Sequence, residues 1–557
     1  MRQKQTTDGV TVNAIGGSHV VTLGLDLSEE RRKGCLGFAI QREDHTQDER
    51  FWMKGMKTFA ATDPGLGPGG QVSSRDHPFQ SFQWADYSPK PGHAYTYTVV
   101  PLHGTPAALE EGPHASVEVS LEPEVGSTHS VFFNRGSVAS QEYARRFQDK
   151  PPNELTGDQQ TAAFDWLQRG LLDGLKAFIG RANGGDFAIH GAIYEFQWPA
   201  ALKALADAAA SGADVHIVYD GIAGAGNPEA ANDEAIDAAG IRDSCHCLPR
   251  TTGNIMHNKF LVLSHKDKPV AVWTGSTNWT LNGIFGHANC GHIVEDEATA
   301  ASFLEYWQEL GTNPDKATET AWMAKHNPNP PDPWEADITT VFSPHAGQEV
   351  LTWYRDIAAS AKDGLFMTFA FGMNQLFKDV YRKDDAVLRF ALMEQAAVGK
   401  NKQQGEADIL AIRKRPNVVI AIGNRIVTNS FDRWLAEMHG LGVHVQWVHT
   451  KFMLVDPLSD APTIVVGSAN FSAASTDTNN ENMLVIRGDT RAADIYLGEY
   501  MRLYSHYAFR EAVAIAQANN ETDFQPSKLA PDDSWQQEYF EPGNDRSVRR
   551  QYFAQTG

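Results

Sequence analysis

Short apolar runs that end in turn residues occupy the first part of the chain. They span residues 19–27, 35–40, 94–102 and 115–121. In the last run Val117, Val119 and Leu121 alternate with polar residues, which is the period of a strand with one buried face. Glycine- and proline-rich breaks separate the runs. Several short strands without helices predict an antiparallel β-sandwich over residues 1–125.

From about residue 158 the apolar positions recur at steps of three and four, the spacing of an amphipathic helix. The apolar run at 187–196 then predicts a buried strand, residues 199–211 predict a helix, and the apolar run at 214–221 predicts a second buried strand. Strand–helix–strand alternation with nearly continuous apolar strands predicts a largely parallel sheet covered by helices. The predicted fold class is therefore α/β, preceded by a small all-β sandwich.

The same order of elements returns later, where the runs at 364–372 and 417–423 are strand-like. The chain therefore contains an internal repeat. We interpret the basic run from Lys400 to Arg415 as an insertion in the second copy, either a solvated loop or a contact for phosphate or a headgroup. The predicted organisation is a sandwich (1–125), a linker (126–157), a first α/β half (158–335), a second α/β half (336–517) and a C-terminal tail (518–557).

Composition is that of a globular protein, because 42% of the 557 residues are hydrophobic and 21% are charged. No run of about 18 apolar residues is present, so no membrane span is predicted. The start of the chain, MRQKQTTDGV, lacks the apolar stretch of a signal peptide. We therefore expect either a cytoplasmic protein or the mature form of a secreted one.

The net charge is −21, from 48 basic and 69 acidic residues. An acidic surface repels polyphosphate, and non-specific duplex binding rests on many lysine and arginine contacts, so no stable nucleic-acid partner is expected. The four cysteines are too few for a disulfide framework. Cys245, His246 and Cys247 are metal-ligand types, but no second pair at metal spacing accompanies them, and no metal site is predicted.

Two segments repeat the same polar residues at the same spacing. They carry His257, Lys259 and Asn278 in the first copy and His449, Lys451 and Asn470 in the second. In each copy the Asn follows the His by 21 positions and ends a Gly-Ser-x-Asn element. A single histidine in an apolar strand is usually a core residue, and a single His-x-Lys indicates nothing. Recurrence of five residue types at identical spacing makes coincidence a poor explanation.

Each His and its Lys stand at i and i+2 of a predicted strand and therefore on one face. A turn at the Gly-Ser-x-Asn element can bring the Asn amide beside them. Two such sites that face each other hold the groups that phosphodiester cleavage requires. One imidazole attacks phosphorus, the other protonates the departing oxygen, and the ammonium and amide groups bind the non-bridging oxygens. The chain is therefore predicted to be an enzyme, a phosphoric diester hydrolase.

These residues resemble the two HxKxxxxD and GSxN signatures of the phospholipase D superfamily, over the range Thr161 to Gln517. The resemblance implies a pseudo-twofold pair of α-β-α domains with one active site at their interface, and a covalent phosphohistidine intermediate. It also implies no redox cofactor and, as in most members, no catalytic metal. One chain holds both half-sites, so a monomer suffices for catalysis.

Two further resemblances are more local. The sequences around the Gly-Ser-x-Asn elements are most similar to bacterial phospholipase D-like proteins. The run at 94–102 is similar to a late strand of a fibronectin type III-like module. The second resemblance concerns that strand alone and agrees with a sandwich in this part of the chain.

The family resemblance also implies how the two halves support each other. Asn289 and Glu481 each stand 32 positions after the histidine of their own copy. In the family, this position of one half supports the histidine of the other, so Glu481 is expected to orient His257, and Asn289 to meet His449. A carboxylate on one imidazole nitrogen makes the other nitrogen more nucleophilic. This favours His257 as the nucleophile and His449 as the general acid and then the general base.

The first copy departs from the signature, because Ser264 stands where the second copy has Asp456. This position lies about five residues, or some 17 Å of strand, from Lys259. We therefore expect the change to affect local packing or charge pairing and not the chemistry.

Further substrate contacts are predicted close to the motifs. The candidates are Ser276, Ser468, Trp198, Trp279, Phe371 and Glu195. The aromatic side chains either form the core between the domains or line an apolar entrance for acyl chains or a stacking surface for bases. The carboxylate of Glu195 either faces the site, lies at the surface or makes an ion pair.

Phospholipid is the predicted substrate, hydrolysed at its headgroup diester or transferred to an alcohol, at a membrane surface. The acidic balance disfavours polyanions, and apolar residues cluster near the motifs. One alternative is a metal-independent nuclease or nucleic-acid end-processing enzyme with the same residues. Another is a catalytically silent binding protein that uses the sandwich, against which the intact His, Lys and Asn set argues.

Overall fold

A computed structural model describes most of the chain. The described residues are 1–67, 70–136, 140–148, 150, 152–224, 226–328, 336–397, 402–423, 448–518 and 527–556. They form a two-sheet β-sandwich, two α/β halves and a C-terminal segment. Within these ranges no helix combines the length and apolar character that crossing a bilayer requires.

Two antiparallel sheets form the sandwich of the N-terminal region, which confirms the all-β prediction. Its elements are β1 (Arg2–Thr7), β2 (Val10–Gly16), β3 (Val21–Leu27), α1 (Glu29–Arg32), β4 (Gly37–Asp44), β5 (Glu49–Trp52), β6 (Lys54–Gly55), β7 (Thr58–Phe59), β8 (Val72–Ser73), β9 (Gln83–Asp86), β10 (Ala94–Thr105), β11 (Ala108–Glu111) and β12 (Ala115–Ser120). One sheet has the order β1-β2-β3-β9, and the other has the order β11-β10-β4-β5 with β12 paired to β10. β6 and β8 form a separate short pair. Inward-facing residues of both sheets, such as Leu23 and Val117, share one buried core.

The first α/β half follows the sandwich. Its elements are β13 (His129–Phe133), α2 (Ser140–Phe147), α3 (Gly157–Gln168), α4 (Leu171–Ile179), β14 (Phe187–Ile193), α5 (Pro199–Ala210), β15 (Asp214–Asp220), α6 (Glu229–Ala239), β16 (Cys247–Arg250), β17 (Lys259–His265), β18 (Lys268–Gly275), β19 (Cys290–Val294), α7 (Glu297–Gly311) and α8 (Lys316–His326). Its sheet has the order β13-β19-β18-β17-β14-β15-β16.

The second half repeats the first strand for strand. Its elements, with those of the C-terminal segment, are β20 (Ile338–Ser343), α9 (Glu349–Ala359), β21 (Gly364–Phe369), α10 (Gln375–Tyr381), β22 (Leu388–Met393), α11 (Lys402–Arg413), β23 (Val418–Ile422), β24 (Phe452–Val455), β25 (Thr463–Gly467), α12 (Ala473–Asp477), β26 (Glu481–Arg487), α13 (Thr490–Ala518), β27 (Lys528–Leu529), α14 (Gln537–Phe540) and α15 (Asp545–Ala554). The sheet order β20-β26-β25-β24-β21-β22-β23 matches that of the first half position by position. The predicted pseudo-twofold α/β pair is confirmed.

Both sheets are mixed, which corrects the prediction of a largely parallel sheet. In the first sheet β14, β15 and β16 run parallel, whereas β17, β18, β19 and β13 pair in antiparallel fashion. Only Lys266 and Asp267 connect β17 to β18, and both have left-handed φ values of 50° and 63°. This is the backbone of a two-residue hairpin turn. Parallel strands would need a crossover of a dozen residues or more.

Two segments predicted to be irregular contain regular structure. The range 126–157, predicted as a linker, includes β13, which is the edge strand of the first sheet and pairs with β19. The basic run from Lys400 to Arg415 includes α11, which connects β22 to β23 as α6 connects β15 to β16. This helix is the crossover that a pair of parallel strands requires. The interpretation of the run as an insertion is therefore wrong.

Buried contacts join the parts of the chain to each other. The largest core cluster includes Phe260 of β17 and Phe452 of β24, together with residues of α7 and α13. The C-terminal helix α15 packs on the sandwich so closely that a Cβ atom at Gly24 would lie 2.1 Å from the carbonyl carbon of Phe553. Only glycine fits at this point of β3.

A buried ion cluster ties the first half to the long helix α13. Glu499 accepts hydrogen bonds from Arg169 at 2.7 Å and from Arg502 at 2.6 and 2.9 Å. All three side chains are buried. Burial alone would raise the pKa of Glu499, but the two guanidinium groups outweigh it and lower this pKa to about 2.

Glu499→Gln is expected to lower the free energy of unfolding by about 3–5 kcal/mol, because it leaves two arginines buried without their counter-charge. The carboxylate stabilises the fold fully above its unfolded-state pKa of about 4.3, and this stability is lost as the pH falls towards about 2. Urea unfolding at neutral pH measures the effect. The control is Glu305→Gln, which removes a largely exposed pair with His326. Equal shifts in the two variants would contradict the role of Glu499.

Candidate active site

Short backbone bridges join the start of each His-x-Lys motif to the opposite half. Met256 pairs with Asn480, and Val448 pairs with Ala288. The two bridges are equivalent in the repeat, since corresponding residues stand 192 positions apart. Each motif is therefore held by the residues that lead into β26 or β19 of the other half.

The imidazole of each motif makes a hydrogen bond across the same boundary. His257 Nδ1 lies 2.8 Å from Glu481 Oε2, and His449 Nδ1 lies 2.9 Å from Asn289 Oδ1. Both contacts implied by the family resemblance are present. Because carboxylate and amide oxygens only accept, each histidine carries a proton on Nδ1 and, when neutral, keeps its lone pair on Nε2.

The serines of the Gly-Ser-x-Asn elements hold these two partners in place. Ser468 Oγ donates to Glu481 Oε2 at 2.6 Å, and Ser276 Oγ donates to Asn289 Oδ1 at 2.8 Å. Each hydroxyl also accepts from the backbone N–H of the residue that follows its partner, at 3.0 and 3.1 Å. Both serines are fully buried. Their predicted contact with substrate is therefore corrected, because their hydroxyls are already engaged in orienting other side chains.

The glycines of these elements are required by close approach of the backbone. A Cβ atom at Gly275, whose φ is +143°, would lie 2.3 Å from the carbonyl oxygen of Cys290. At Gly467 it would lie 2.1 Å from the carbonyl oxygen of Asn482. Real Cβ atoms do not approach this closely, so a larger residue would push the serine away from its partner.

The two lysines of the motifs are buried side chains. Lys259 and Lys451 each donate from Nζ to the carbonyl oxygen of the histidine two positions earlier. Lys259 Nζ also lies 4.9 Å from the centre of the Tyr194 ring. Burial lowers the pKa of Lys259 to about 7 although Glu481 opposes the shift. Burial, with the charge of Lys259, lowers the pKa of Lys451 well below its usual range.

The two imidazoles share the same electrostatic surroundings. Burial lowers the pKa of His257 to about 4, with Glu481 opposing and the two lysines adding to the shift. Burial also lowers the pKa of His449 well below its usual range, and the charges of Lys451 and His257 are among the further causes. Both rings are therefore neutral at pH 7 in the protein alone. Charges of each half act on the histidine of the other, so the two half-sites are electrostatically coupled.

The asparagines of the two half-sites have different neighbours. Asn278 Nδ2 donates to Glu195 Oε2 at 2.5 Å, so the Glu195 carboxylate faces the site. The Oδ1 atoms of Asn278 and Asn470 are buried and make no hydrogen bond among the described residues. The strand registers make Phe371 the counterpart of Glu195 in the second half. Phe371 is 38% exposed, so a carboxylate on one side of the site corresponds to an open phenyl ring on the other.

The two predicted tryptophan contacts belong to the core of the first half. Trp279 is fully buried and packs on Phe196 with ring centres 5.7 Å apart. Trp198 packs against Phe164 and Phe285 at 5.7 and 4.9 Å. Trp279 therefore lies in the apolar interior, which corrects its predicted contact with substrate. Trp198 is half-buried at the edge of the same cluster, and its contact with substrate stays a prediction. Sequence position near the motif does not distinguish a core ring from a pocket ring.

Two carboxylates that the sequence analysis did not select hold the backbone of the motifs. Asp220 Oδ2 accepts the N–H of Met256 at 2.7 Å, and Glu394 Oε2 accepts the N–H of Val448 at 2.9 Å. Burial raises the pKa of Asp220 to about 6. One feature of the sequence could have identified these two carboxylates. An acidic residue ends an apolar run in each half, IVYD in the first and ALME in the second.

The acid at the end of the second HxKxxxxD signature serves local structure, as expected. Asp456 Oδ1 accepts the backbone N–H groups of Lys362, Asp363 and Gly364 at 3.0, 2.8 and 2.9 Å. It therefore fixes the loop before β21 at the end of the strand far from the histidine. Ser264, its counterpart, is buried, and its hydroxyl has no hydrogen-bond partner in the described part of the chain.

One group of metal-ligand types comes together among the described residues. Ligand atoms of Asp214, His216 and His246 lie within 4.8 Å of one another. The group is at the start of β15, opposite Asp220 and the motifs. The rings of His216 and His246 are stacked at 16°, so their lone pairs run nearly parallel and do not converge on one point. This arrangement is not a preformed metal site.

Residues 175–310 and 400–503 match the family model "Cardiolipin synthase, PLD-like domain". The two matched ranges contain the first and second motifs. No protein of curated function matches the chain. The resemblance to the phospholipase D superfamily is confirmed over these two ranges, one in each half of the chain.

Solved structures are similar to parts of the chain. Phosphatidylserine synthase of Haemophilus influenzae is 11% identical over 63% of this chain and 91% of its own, with a TM-score of 0.40. The phospholipase D family member Nuc of Salmonella typhimurium is 27% identical over 25% of this chain and 87% of its own, with a TM-score of 0.20. Polyphosphate kinase of Porphyromonas gingivalis is 10% identical over 58% of this chain, with a TM-score of 0.36, and the match spans 46% of that kinase.

The pocket is expected to bind sulfate most tightly below about pH 7, because the pKa of Lys259 is about 7 and its protonated form attracts the anion. Affinity should fall as the pH rises through this value, since the charge of sulfate is constant there. Calorimetric titration between about pH 6 and 9 measures the change. Lys259→Gln should weaken binding and flatten its pH dependence, whereas Lys203→Gln, an exposed lysine of α5, should do neither. A constant wild-type affinity would contradict the lowered pKa.

Proposed function

We propose that this chain is a phosphodiesterase of the phospholipase D type, which hydrolyses phospholipid headgroup diesters or transfers them to an alcohol through a phosphohistidine. The observation that carries the proposal is the pair of crossed contacts, His257 with Glu481 and His449 with Asn289. They leave two imidazoles with the same tautomer beside two buried lysines. Such a set can attack phosphorus from one side and protonate an oxygen on the other.

In the first step, Nε2 of His257 attacks phosphorus while the bond from phosphorus to the headgroup oxygen breaks. His449, in its protonated form, gives its Nε2 proton to that oxygen, and the headgroup leaves as an alcohol. The phosphatidyl group stays on His257. The two lysines and the amides of the Gly-Ser-x-Asn elements stabilise the charge on the non-bridging oxygens.

In the second step, water or an alcohol gives a proton to His449 as its oxygen attacks phosphorus. The nitrogen–phosphorus bond breaks, and its electron pair returns to Nε2 of His257. Water yields phosphatidic acid, and an alcohol yields an exchanged phospholipid. His449 ends the cycle protonated, as it began, so no net proton is consumed by the enzyme.

Glu481 supports the assignment of His257 as the nucleophile. Its carboxylate stabilises the cationic phosphohistidine, whereas the neutral amide of Asn289 leaves a protonated His449 more acidic. Both pKa values are low in the protein alone, because burial disfavours the protonated form and the charges of the lysines add to this effect. The anionic phosphodiester supplies negative charge in the pocket and thereby allows His449 to hold its proton.

Phospholipid is the proposed substrate class. The family model that matches both halves is named for a cardiolipin synthase. The net charge of −21 disfavours a long polyanion. Phe371, exposed at the site end of β21, offers an apolar contact next to the polar pocket. These features together support a diester with an apolar part over a nucleic-acid strand.

With phosphatidylcholine and ethanol, in the presence of chelator, the protein is expected to form phosphatidylethanol. Plasmid and single-stranded oligonucleotide should remain uncut under the same conditions. Chromatography of the lipids and gels of the DNA measure both outcomes. Cut DNA with inert lipid would replace the proposal by a nuclease, and inert lipid with intact DNA would leave a silent binding protein. Loss of turnover in chelator alone would contradict a metal-free reaction.

His257→Ala and His449→Ala should each reduce turnover roughly 10⁴-fold, because each removes one of the two reacting imidazoles. Quenched reactions with a slow diester, followed by peptide mass spectrometry at alkaline pH, should locate the phosphoryl group on His257. His265→Ala, at the far end of β17, is the control and should keep wild-type turnover. A phosphoryl group found on His449 would reverse the two roles.

A further inference from the structure

A third imidazole lies beside His449 and has no part in the mechanism above. The ring centres of His287 and His449 are 5.5 Å apart. Both ring nitrogens of His287 are buried, and neither has a hydrogen-bond partner among the described residues. Buried polar groups are nearly always paired, and leaving one unpaired costs about 1–3 kcal/mol. An imidazole with two unpaired nitrogens beside a reacting histidine therefore calls for a partner that arrives with the substrate.

Backbone hydrogen bonds fix the position of His287. Its N–H donates to the carbonyl of Asn282 at 2.8 Å, and its own carbonyl accepts from Asn134 Nδ2 at 2.7 Å. His287 directly follows a π-helical turn, Asn282–Gly286. Such turns are rare in proteins overall, and those that occur are often found at functional sites.

The same turn is connected to the support of His449. Asn289 Nδ2 donates to the carbonyl oxygen of Gly283 in the π-helical turn at 2.8 Å, while Asn289 Oδ1 accepts from His449. One asparagine therefore fixes the position of His449 relative to the turn that carries His287. The two rings are held together as a pair.

Burial, with the charge of Lys451, lowers the pKa of His287 to about 4, so its ring is neutral at pH 7. A neutral imidazole has one N–H donor and one bare nitrogen that accepts. It can therefore accept a hydrogen bond from an O–H group at its bare nitrogen. A charged side chain at this position would not offer the same pair of functions.

We propose that His287 positions the oxygen nucleophile of the second step, by accepting one hydrogen bond from the water or alcohol that His449 deprotonates. The inference rests on the proposed function. The water gives one proton to Nε2 of His449 and keeps the other in its hydrogen bond to the bare nitrogen of His287. Its oxygen bonds to phosphorus, and the bond from phosphorus to His257 breaks with the electron pair returning to that ring.

The test compares wild type with His287→Phe and His287→Asn on bis(p-nitrophenyl) phosphate. Its good leaving group makes the first step fast, so the second step limits the steady rate. In His287→Phe the initial burst of nitrophenolate should keep its wild-type amplitude and rate. The steady rate should fall roughly 10- to 100-fold, because one positioning hydrogen bond is lost. Phosphohistidine on His257 should accumulate, and His287→Asn, which keeps a donor and an acceptor, should recover part of the rate.

The control is His265→Phe, whose ring lies at the far end of β17 and stacks on Phe187. It should match wild type in both phases. A steady rate of His287→Phe within about twofold of wild type would overturn the inference, as would burst and steady rate falling in proportion. If the thermal midpoint shows that His287→Phe is unfolded, His287→Leu, which also lacks hydrogen-bonding atoms and is smaller, decides by the same two criteria. A wild-type protein with neither burst nor turnover would instead remove the proposed function, and the inference with it.

Discussion

Burial of two lysines beside two imidazoles is the constraint on which the rest of this structure depends. Lys259 and Lys451 are almost excluded from solvent. Burial, together with the charges of these lysines, lowers the pKa of the neighbouring histidines. Glu481 offsets part of this positive charge, and it comes from the second half to meet the histidine of the first. Protonation of these buried amines and imidazoles is unfavourable until an anion enters the pocket. The same interactions therefore destabilise the empty pocket and favour the binding of an anionic phosphodiester.

The internal repeat explains how a single chain assembles such a pocket. The two sheets have the same strand order, and the same backbone bridge occurs twice, in opposite directions, between the motif of one half and the strand of the other. Asp220 and Glu394 hold equivalent backbone N–H groups in the two halves. Each half supplies the support for the partner's histidine and lacks support for its own. Packing of the halves and formation of the site are thus one event, which is why the largest core cluster spans both.

The sequence predicted those parts of the site that repeat at a fixed spacing along the chain. The positions of Glu481 and Asn289 followed from the repeat and the family resemblance, and both contacts are present. The role of Asp220 was not predicted, because its hydrogen bond to the motif is a tertiary contact with no fixed separation along the chain. Trp279 was assigned to the pocket on proximity in sequence, but whether a ring faces a pocket or a core depends on packing. The mixed sheet was missed because an apolar run reads alike in parallel and antiparallel pairings.

A symmetric scaffold by itself would treat both sides of a phosphate alike, and the side chains remove this equivalence. Three pairs of equivalent positions differ between the halves, with the first-half residue given first: Asn289 and Glu481, Glu195 and Phe371, and His287 and Asn479. Because Glu481 crosses to His257, both carboxylates act on the His257 side, where they raise the pKa of Lys259 against burial. His449 has an amide and a neutral imidazole as neighbours. Negative charge on one side stabilises a cation there, and its absence on the other makes proton release easier. In the proposed reaction, electrostatics and not pocket shape therefore decides which imidazole bonds to phosphorus and which moves the proton.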